Sequence, residues 1–505
     1  MRAISVNDSK NEKCKSVIET LFSNAEKLPD KIAVIAGGKQ VSYLQLKKLI
    51  IGASDYLTKI GIKPGDRVIV KALPSISFIA AIFGISLCRA IMMPLEKTIP
   101  EAGVNEIAEK LDAKLSITNY ETDKPDNLLL DKLMEYAEEF ANSGKADNYK
   151  AIFPDVDKVS AIIFTTGTTG KSKGVVLTYR NNLAAAQNTM GTTGMCEDDI
   201  NVVPAPLNHT YGFRRTMGSL YIGATIVLLN GVTSARTFFN SLEELKGTTL
   251  TLVPSAMEYI LRVSGDLISK YKDQLTYIEV GAEPVSGDLK KRLLKLLPNT
   301  NICNTYGSSE AGCVIGINYR THPDKIGSIG CDAVNAEIYF TDEKHRMIEA
   351  DSPKNSGFLT IKGPMVMVGY ENEPELTATV LKDGILYTND IGYRDSDGFI
   401  FLLGRKGDVI NVGGNKVSPS EVEEVANRCP IVLECACVPC KDPNGILNQV
   451  PKLFVVVNKD EEFSESELKK YLAAQLEPYK VPLVYETIDE LPRTFNLKIQ
   501  RNKLR

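Results

Sequence analysis

Histidine is scarce in this chain: its 505 residues include only three, His209, His322 and His345. A hydrolase with a nucleophilic serine needs a histidine base beside it, and these positions suggest no obvious Ser-His-Asp triad. The formal net charge is −4 and 24% of the residues are charged, so no strongly basic surface is indicated. Nucleic acid is therefore not an expected partner.

Long apolar runs are also missing. The N-terminal segment, MRAISVNDSKNEKCK, has no apolar core and does not resemble a secretory signal. The most membrane-like stretch, residues 72–88, carries no charge but contains Pro74 and ends before Arg89. Its 17 residues are fewer than the ~20 that a membrane-spanning helix needs, so we predict a buried helix without an integral membrane segment. The protein is expected in the cytoplasm.

The ten cysteines include a dense group, Cys429, Cys435, Cys437 and Cys440, which contains a Cys-x-Cys-x-x-Cys pattern. A metal site would need this pattern on a turn and further ligands elsewhere. Residues 432–439 instead alternate along an apolar segment, which predicts a strand with Cys435 and Cys437 on one face. No second cysteine pair completes a tetrahedral site. We therefore predict buried, reduced, structural cysteines, which fit a cytoplasmic protein.

The length exceeds what one ordinary hydrophobic core organises, so two or more packed units are expected. Between residues 14 and 120, helical and strand patterns alternate along the chain. This alternation predicts an α/β fold with a mainly parallel sheet. Residues 121–158 are polar and charged, and we expect a surface connection there.

The most informative segment is residues 161–176, AIIFTTGTTGKSKGVV. Its loop offers N–H groups, hydroxyls and lysine charges that suit a polyphosphate. A flexible linker is the alternative, but linkers are not normally enclosed by β-branched residues. The segment is not a Walker A loop, because a threonine stands where that motif needs its first glycine. The candidate phosphate-binding residues are Thr165, Thr166, Gly167, Thr168, Thr169, Gly170 and Lys173.

The loop TTGTTGKSKGV resembles the phosphate loop of the adenylate-forming superfamily, which groups acyl-CoA synthetases, luciferases and the adenylation domains of peptide synthetases. Further segments are similar to this family's motifs and follow in the family's order. They are PLNHTYG, VGAEP, YGSSE, GPMVMVGYEN, YTNDIGY, GRKGD and PRTFNLKIQR. The resemblance covers the chain from about residue 15 to Arg505.

The resemblance implies a fold and a division of the chain. We expect a large multi-layer N-terminal α/β domain with a small β-barrel-like part, residues 1–405, that binds ATP and the acid. A small mobile C-terminal α+β domain would comprise residues 406–505 and carry the adenylation lysine. The hinge would lie at Gly407, where relatives usually carry Asp or Lys.

The resemblance also implies a reaction. A carboxylic acid attacks the α-phosphate of ATP to give an acyl-adenylate and pyrophosphate, and a thiol then displaces AMP to give a thioester. ATP, Mg²⁺ and CoA are the expected cofactors and co-substrates. Catalysis would depend on positioning and on charge neutralisation, since no enzyme nucleophile is required. Aryl, medium-chain and long-chain acids all stay open as substrates.

Two alternatives remain at this point. The thiol could be the phosphopantetheine of an acyl carrier protein in place of free CoA. The chain could also be a non-catalytic nucleotide-binding relative, because Asn389, Gly407 and Leu497 depart together from the family pattern. An amino-acid substrate is disfavoured, since residues 213–215, Phe-Arg-Arg, offer no Asp for an α-amino group.

The roles that the resemblance implies fall on residues of these motifs. The catalytic set would be Lys498, Lys173, Glu310 and Thr166, with Glu310 as the Mg²⁺ ligand. The nucleotide would further contact Gly281, Ala282, Glu283, Asn304, Thr305, Tyr306, Gly307, Ser308, Ser309, Asp390 and Arg405. The acyl pocket would include His209, Gly281, Gly307 and Gly312, and the thiol tunnel Gly413 and Gly414.

Physical chemistry gives reasons for three of these roles. The ring of Tyr306 offers a flat face to adenine. The carboxylate of Glu310 suits Mg²⁺, which prefers oxygen ligands. The carboxylate of Asp390, with Arg405 assisting, can accept hydrogen bonds from both ribose hydroxyls.

Two features next to the PLNHTYG segment are open to more than one interpretation. His209 could line or gate the acyl pocket, or it could be a hydrogen-bonded histidine beside a buried helix. Arg214 and Arg215 stand where the family usually has apolar residues. We expect these arginines to be solvated or to face phosphate, although one could meet a second anionic group on the substrate.

Overall fold

The structure, a computed structural model, describes residues 16–121, 124, 126–166, 172–232, 234–493 and 499–505. Five predicted site residues lie outside the described residues: Gly167, Thr168, Thr169, Gly170 and Lys498. Leu497, one of the departures from the family pattern, also lies outside them.

The chain forms two compact units. The first comprises the chain up to Ile326 together with Gly330–Glu337 and Ile361–Leu386, and the second comprises Gly327–Ile329, Ile338–Thr360 and Tyr387–Arg505. The predicted α/β class, with a large N-terminal and a small C-terminal part, is confirmed. The boundary after residue 405 and the mobility of the C-terminal part stay predictions.

Helices occur in both units. In the described residues these are α1 Val17–Lys27, α2 Tyr43–Lys59, α3 Ile76–Leu87, α4 Glu101–Lys110, α5 Leu130–Asn142, α6 Tyr179–Thr193, α7 Thr210–Ile222, α8 Ala235–Leu245, α9 Pro254–Ser264, α10 Gly287–Leu296, α11 Pro374–Val380, α12 Pro419–Ala426 and α13 Glu465–Ala473. Short 3-10 helices lie at Lys145–Asn148, Leu267–Tyr271, Pro323–Lys325, Pro478–Lys480 and Arg501–Lys503.

The strands of the first half of the chain are β1 Ile32–Ala36, β2 Lys39–Ser42, β3 Arg67–Lys71, β4 Ile91–Pro94, β5 Ala113–Thr118, β6 Asn127–Leu129, β7 Val159–Thr166, β8 Ser172–Thr178, β9 Ile200–Val203, β10 Thr225–Leu228, β11 Thr249–Leu252, β12 Tyr277–Gly281 and β13 Asn301–Ser308. Those that follow are β14 Gly312–Asn318, β15 Cys331–Asp332, β16 Glu337–Thr341, β17 Gly357–Lys362, β18 Gly369–Tyr370, β19 Leu381–Lys382, β20 Ile385–Arg394, β21 Ile400–Arg405, β22 Ile410–Val412, β23 Asn415–Val417, β24 Val432–Cys440, β25 Val450–Val457 and β26 Val484–Thr487.

Two large sheets dominate the first unit. One has nine strands in the order β15-β14-β13-β12-β11-β9-β10-β1-β2, and the other has seven in the order β18-β8-β7-β4-β3-β5-β6. The six strands from β13 to β1 in the first sheet run parallel, whereas β2, β14 and β15 are antiparallel at its edges. The predicted mainly parallel sheet is thus confirmed.

Smaller sheets complete the fold. One has the order β16-β17-β20-β19, with β21 also pairing with β20. The strands β22 and β23 form a hairpin, and β24, β25 and β26 form a three-stranded sheet in the second unit. The helices α12 and α13 pack beside this last sheet around one apolar cluster.

The prediction of a surface connection over residues 121–158 was wrong. Part of this segment forms β6, which extends the seven-stranded sheet beside β5, and α5, which packs against α2. Apolar residues of α5 are spaced along one helical face, and Leu133 and Ala137 are fully buried. The high charge of the segment belongs to the opposite face of an amphipathic helix.

The predicted buried helix and the predicted cysteine strand are both present. Residues 76–87 form α3, in which every residue from Phe78 to Leu87 is buried. No helix among the described residues is both long and apolar enough to cross a bilayer. Cys435 and Cys437 lie on β24 and belong to one apolar cluster. Burial raises the pKa of both thiols, which keeps them protonated.

Candidate active site

Several predicted site residues of the first unit lie where strands of the nine-stranded sheet end. Gly281 is the last residue of β12 and pairs with Thr305 of β13. The segment that contains His209 follows β9, and Pro254 follows β11. Ligands of open α/β sheets bind at the carboxyl ends of parallel strands, so this edge is the expected place for a substrate.

Two predicted nucleotide contacts have side chains that serve the sheet. The amide of Asn304 donates to the carbonyl oxygen of Val280 at 2.8 Å, and the Thr305 hydroxyl donates to Oε1 of Glu279 at 2.6 Å. Both residues are buried. A contact from either residue to a nucleotide would therefore come from its backbone.

The end of β12 and the first turn of α7 meet at Gly281. A Cβ added at Gly281 would lie 2.7 Å from the Thr305 hydroxyl oxygen and 3.1 Å from the ring of Tyr211. The next residue, Ala282, has a φ of +67°, which an L-residue adopts only under strain. Residues with strained backbone cluster at ligand sites. Glu283, the residue after Ala282, accepts a hydrogen bond from the amide of Ser255 at 3.3 Å.

The predicted metal ligand Glu310 lies in a cluster with Lys173 and Tyr370. The phenol of Tyr370 donates to Oε1 of Glu310 at 2.7 Å, and the Lys173 ammonium lies 5.3 Å from the centroid of the Tyr370 ring. Burial, and then the charge and the hydrogen bond of Glu310, raise the pKa of Tyr370, so the phenol stays a donor. The structure thus brings together two residues that the sequence places far apart.

Backbone pairing holds this cluster in place. Tyr370 pairs with Val175 across β18 and β8, and the amide of Met367 donates to the carbonyl oxygen of Glu310 at 2.7 Å. The side chain of Asn181 donates to the carbonyl oxygens of Pro364 and Val366, both at 2.8 Å. Three distant segments are therefore fixed to one another around Glu310.

The donor set around Glu310 fits a hard cation. Several side-chain oxygens lie at this turn: the Glu310 carboxylate, the Tyr370 phenol, and the hydroxyls of Ser309 and Thr210, which lie 3.1 Å apart. Among the described residues, no three His, Cys, Asp or Glu side chains are grouped to hold a metal by themselves. This is the arrangement suited to Mg²⁺, which is commonly bound by one or two carboxylates together with substrate phosphates.

The expectation of solvated or phosphate-facing arginines was wrong. Arg214 is 5% exposed and Arg215 is 1% exposed. Arg215 forms an ion pair with Glu279, which is 2% exposed, and donates to the hydroxyl of Tyr277 at 3.2 Å. Arg214 donates to the carbonyl oxygens of Ser308 and Ser309, at 2.7 and 2.9 Å. Both side chains point into the protein because α7 packs with this face against the sheet.

His209 is half-buried and precedes the first residue of α7 as its N-cap. Gly307 is exposed and lies at an irregularity in the pairing of β13 with β14, where Gly312 follows with a φ of +73°. These residues lie in the same part of the first unit as Gly281. Their acyl-pocket role stays a prediction.

In the second unit, Asp390 and Arg405 face each other on paired strands. They are register partners on β20 and β21, and Nε of Arg405 lies 3.2 Å from Oδ1 of Asp390. The hydroxyl of Thr388 accepts from the Asp390 amide at 3.1 Å and donates to the carbonyl oxygen of Leu359. The sequence therefore identified a pair that the structure brings together.

The predicted hinge and tunnel glycines lie just beyond this pair. Gly407 has a φ of +88°, in the left-handed region that side chains disfavour. Gly413 and Gly414 form the turn between β22 and β23, and the Gly414 amide donates to Asn411 at 3.0 Å. These positions are compatible with the predicted roles and do not test them.

Two segments of the chain match models of known protein families. Residues 21–371 match the AMP-binding enzyme family, and residues 421–498 match the AMP-binding enzyme C-terminal domain. The chain belongs to the AMP-binding enzyme family. A curated relative, the 2-succinylbenzoate–CoA ligase of Bacillus cereus, is 28% identical over 491 residues, which cover 96% of this chain and 97% of the relative.

Two solved structures share the fold of this AMP-binding enzyme. The O-succinylbenzoate coenzyme A synthetase of Bacillus subtilis, in complex with ATP and a magnesium ion, has a TM-score of 0.82 at 24% identity, covering 96% of this chain and 98% of that chain. The anthranilate CoA ligase AuaEII, in complex with anthranoyl-AMP, has a TM-score of 0.84 at 21% identity, covering 98% of each chain. The predicted superfamily, fold class and enzyme class, an acid–thiol ligase, are confirmed.

Sequence reasoning missed three residues of this AMP-binding enzyme's candidate site. Tyr370 stands in the segment GPMVMVGYEN, which was recognised without assigning its tyrosine a role. Tyr211 lies within PLNHTYG, and its ring lies beside Gly281. Arg214 departs from the family pattern, and this departure was the available signal. The sequence does not reveal its partners, because Ser308 and Ser309 are 94 and 95 positions away.

Proposed function

We propose that this protein is an AMP-forming acid–CoA ligase that acts on an aromatic carboxylate. A carboxylate oxygen of the acid attacks the α-phosphorus of ATP, and the bond to the β-phosphate breaks, which releases pyrophosphate. The sulfur of CoA then attacks the acyl carbon, AMP leaves, and the thiol proton passes to solvent. The cluster of Glu310, Tyr370 and Lys173 carries this proposal.

The first unit supplies groups for the phosphates. Lys173 brings a positive charge beside the strand end that leads into the Gly/Thr loop, and Glu310 offers a carboxylate that Tyr370 orients. Bound to Glu310 and the phosphates, Mg²⁺ would neutralise part of the phosphate charge. A charge placed in advance where negative charge develops lowers the barrier, because the protein need not reorganise during reaction.

The second unit supplies groups for the ribose and for both steps. Asp390, steadied by Arg405, is the acceptor proposed for the two ribose hydroxyls. Lys498 is proposed to meet the reacting carboxylate and the α-phosphate during adenylation. Gly413 and Gly414 are proposed to line the path of the CoA thiol during transfer.

The acid is proposed from the relatives and from the site. The Bacillus cereus relative acts, by its name, on 2-succinylbenzoate and CoA and aligns over almost the whole chain. Arg214 and Arg215 are committed to contacts inside the protein. A second carboxylate on the acid would therefore not be bound by either of these arginines.

Pyrophosphate exchange across a panel of acids tests the proposal. The panel contains 2-succinylbenzoate, anthranilate, benzoate, and a medium-chain and a long-chain fatty acid. We expect exchange with at least one aromatic acid, and AMP formation that depends on added CoA more than on a phosphopantetheinylated carrier protein. The absence of exchange with every aromatic acid would contradict the proposal.

A matched pair of variants tests the site. Glu310→Gln removes the carboxylate charge and should lower exchange by roughly a hundredfold, the scale of one electrostatic contact in a transition state. Glu349→Gln makes the same change at an exposed position in the second unit and should leave exchange near that of the wild type. Equal activities of the two variants would exclude Glu310 from the site.

A further inference from the structure

Arg214 makes a forked contact with the turn before Glu310. Its Nη1 donates to the carbonyl oxygen of Ser308 at 2.7 Å, and its Nη2 donates to that of Ser309 at 2.9 Å. A planar guanidinium can reach two neighbouring acceptors at once, which an ammonium group cannot do in the same fixed geometry. The contact therefore fixes the direction of two consecutive peptide groups.

The same turn is held at two further points. The carbonyl oxygen of Glu310 accepts from the amide of Met367, and its carboxylate accepts from the phenol of Tyr370, both at 2.7 Å. Among the donors to this turn, Arg214 is the charged one, and it binds the main chain directly before Glu310. If it were removed, the carboxylate would stay bonded to Tyr370 but the main chain before it would lose its anchor.

The two neighbouring arginines differ in how their charge is balanced. Arg215 is paired with the carboxylate of Glu279, whereas Arg214 donates to the carbonyl oxygens of Ser308 and Ser309. Burial lowers the pKa of Arg214 to about 10, and the charge of the Glu310 carboxylate opposes this shift. Arg214 thus stays positively charged at neutral pH and its field reaches Glu310.

We propose that Arg214 is a positioning residue for Glu310: it orients the Ser308–Ser309 turn so that the Glu310 carboxylate is presented to a divalent cation carried by a nucleotide. The inference rests on the proposed function, because it gives Glu310 its metal role. It adds a residue that the family pattern does not supply, since apolar residues are usual at this position.

Two substitutions test this inference. Arg214→Lys keeps the charge and loses the fork, and Arg214→Met keeps much of the volume and loses both. We expect the Mg²⁺ concentration at half-maximal pyrophosphate exchange to rise about tenfold in Arg214→Lys and further in Arg214→Met, the size of one lost contact to a charged group. The KM for the acid should change less than twofold.

A binding measurement provides a readout that does not depend on turnover. Mn²⁺ is titrated into the protein in the presence of an ATP analogue with a non-cleavable α,β bridge, and bound Mn²⁺ is followed by electron paramagnetic resonance. In the Arg214 variants, the affinity for Mn²⁺ should fall by about the same factor by which the Mg²⁺ concentration at half-maximal exchange rises. The double variant Arg215→Met/Glu279→Gln is the control, because it removes the neighbouring buried pair and should lower the melting temperature without weakening Mn²⁺ binding.

The outcomes separate the inference from the proposed function. Unchanged Mn²⁺ affinity in a folded Arg214→Lys protein would overturn the inference, even if exchange is active. A shift of equal size in the Arg215→Met/Glu279→Gln control would also overturn it, since packing alone would then explain the effect. A wild-type protein that shows no exchange but binds Mn²⁺ more tightly than Arg214→Lys would support the inference while the proposed function fails.

Discussion

Two arginine–carboxylate pairs, one in each unit, differ in how far they are withdrawn from water. Arg215 and Glu279 in the first unit have side chains 1% and 2% exposed. Arg405 and Asp390 in the second unit have side chains 58% and 19% exposed. A fully buried pair has lost its hydration and needs its protein partners, so it cannot release a carboxylate to a ligand without a large cost. An ion pair that is partly open to solvent contributes little to stability, because water screens its charges.

This difference corrects a natural interpretation of the sequence. Two adjacent arginines after a motif look like ligands for an anion, and the resemblance predicts a ribose contact for Asp390 in YTNDIGY. The structure overturns the expectation for the arginines, which bind the protein's own carbonyl and carboxylate oxygens, whereas 19% of the Asp390 side chain is exposed. Substitutions in these two pairs, at Lys498 and at Gly407 test which residues stabilise the fold and which serve the reaction.

The largest effect should come from breaking the buried pair. Arg215→Met leaves the Glu279 carboxylate without its cation in a dry environment, which should lower the free energy of unfolding by about 3–5 kcal/mol. Urea denaturation followed by circular dichroism measures this. The double variant Arg215→Met/Glu279→Gln should recover a large part of the loss, and a single variant as stable as the wild type would show that the pair is not coupled.

The next effect concerns Lys498, the lysine proposed to act in adenylation. Lys498→Ala should slow adenylate formation by roughly a hundredfold or more, because a charge at the developing negative centre is lost. Thioester formation from a supplied acyl-adenylate should change much less, since Lys498 is proposed to act at the first step. Lys503→Ala, at an exposed position five residues later, is the matched control. Equal losses in both half-reactions would contradict the separation of roles.

A smaller effect is expected at the exposed pair. Asp390→Asn should raise the KM for ATP about tenfold, which corresponds to ~1.4 kcal/mol of lost binding free energy. The free energy of unfolding should change by less than about 1 kcal/mol, because exposed ion pairs contribute little to stability. Steady-state kinetics and a denaturant titration on the same preparation distinguish the two quantities. A large loss of stability with an unchanged KM would make the pair structural.

The smallest effect is expected at Gly407, which lies two positions beyond the end of β21. At its φ of +88°, a Cβ is disfavoured by about 1 kcal/mol, so Gly407→Ala should be slightly less stable than the wild type. Gly407→Pro cannot adopt this φ at all, because proline fixes φ near about −65°. The two half-reactions, measured separately in Gly407→Pro, should therefore be unequally affected if Gly407 is the hinge. Unchanged half-reactions would place the hinge elsewhere.

Several features were predictable because they depend on local patterns. A run without charged residues predicted the buried α3, and apolar alternation predicted that Cys435 and Cys437 share a strand. By contrast, the charge of residues 130–142 favoured the wrong prediction of a surface connection, because half of an amphipathic helix is charged and its apolar half is recognised only at helical spacing. The helical spacing of these apolar residues is present in the sequence, but the prediction did not take it into account.

The sequence by itself determined which chemical groups are present and in which order: the Gly/Thr loop, Lys173, Glu310, Asp390 and Arg405. Only the tertiary structure decided which of these groups meet. Tyr370 reaches Glu310 across 60 positions, and Arg214 reaches Ser308 across 94. Local periodicity carries no information about such contacts, because they depend on how β8, β18 and α7 pack after the chain has folded. Burial then made Arg215 a structural ion, whereas 19% of the Asp390 side chain stays exposed.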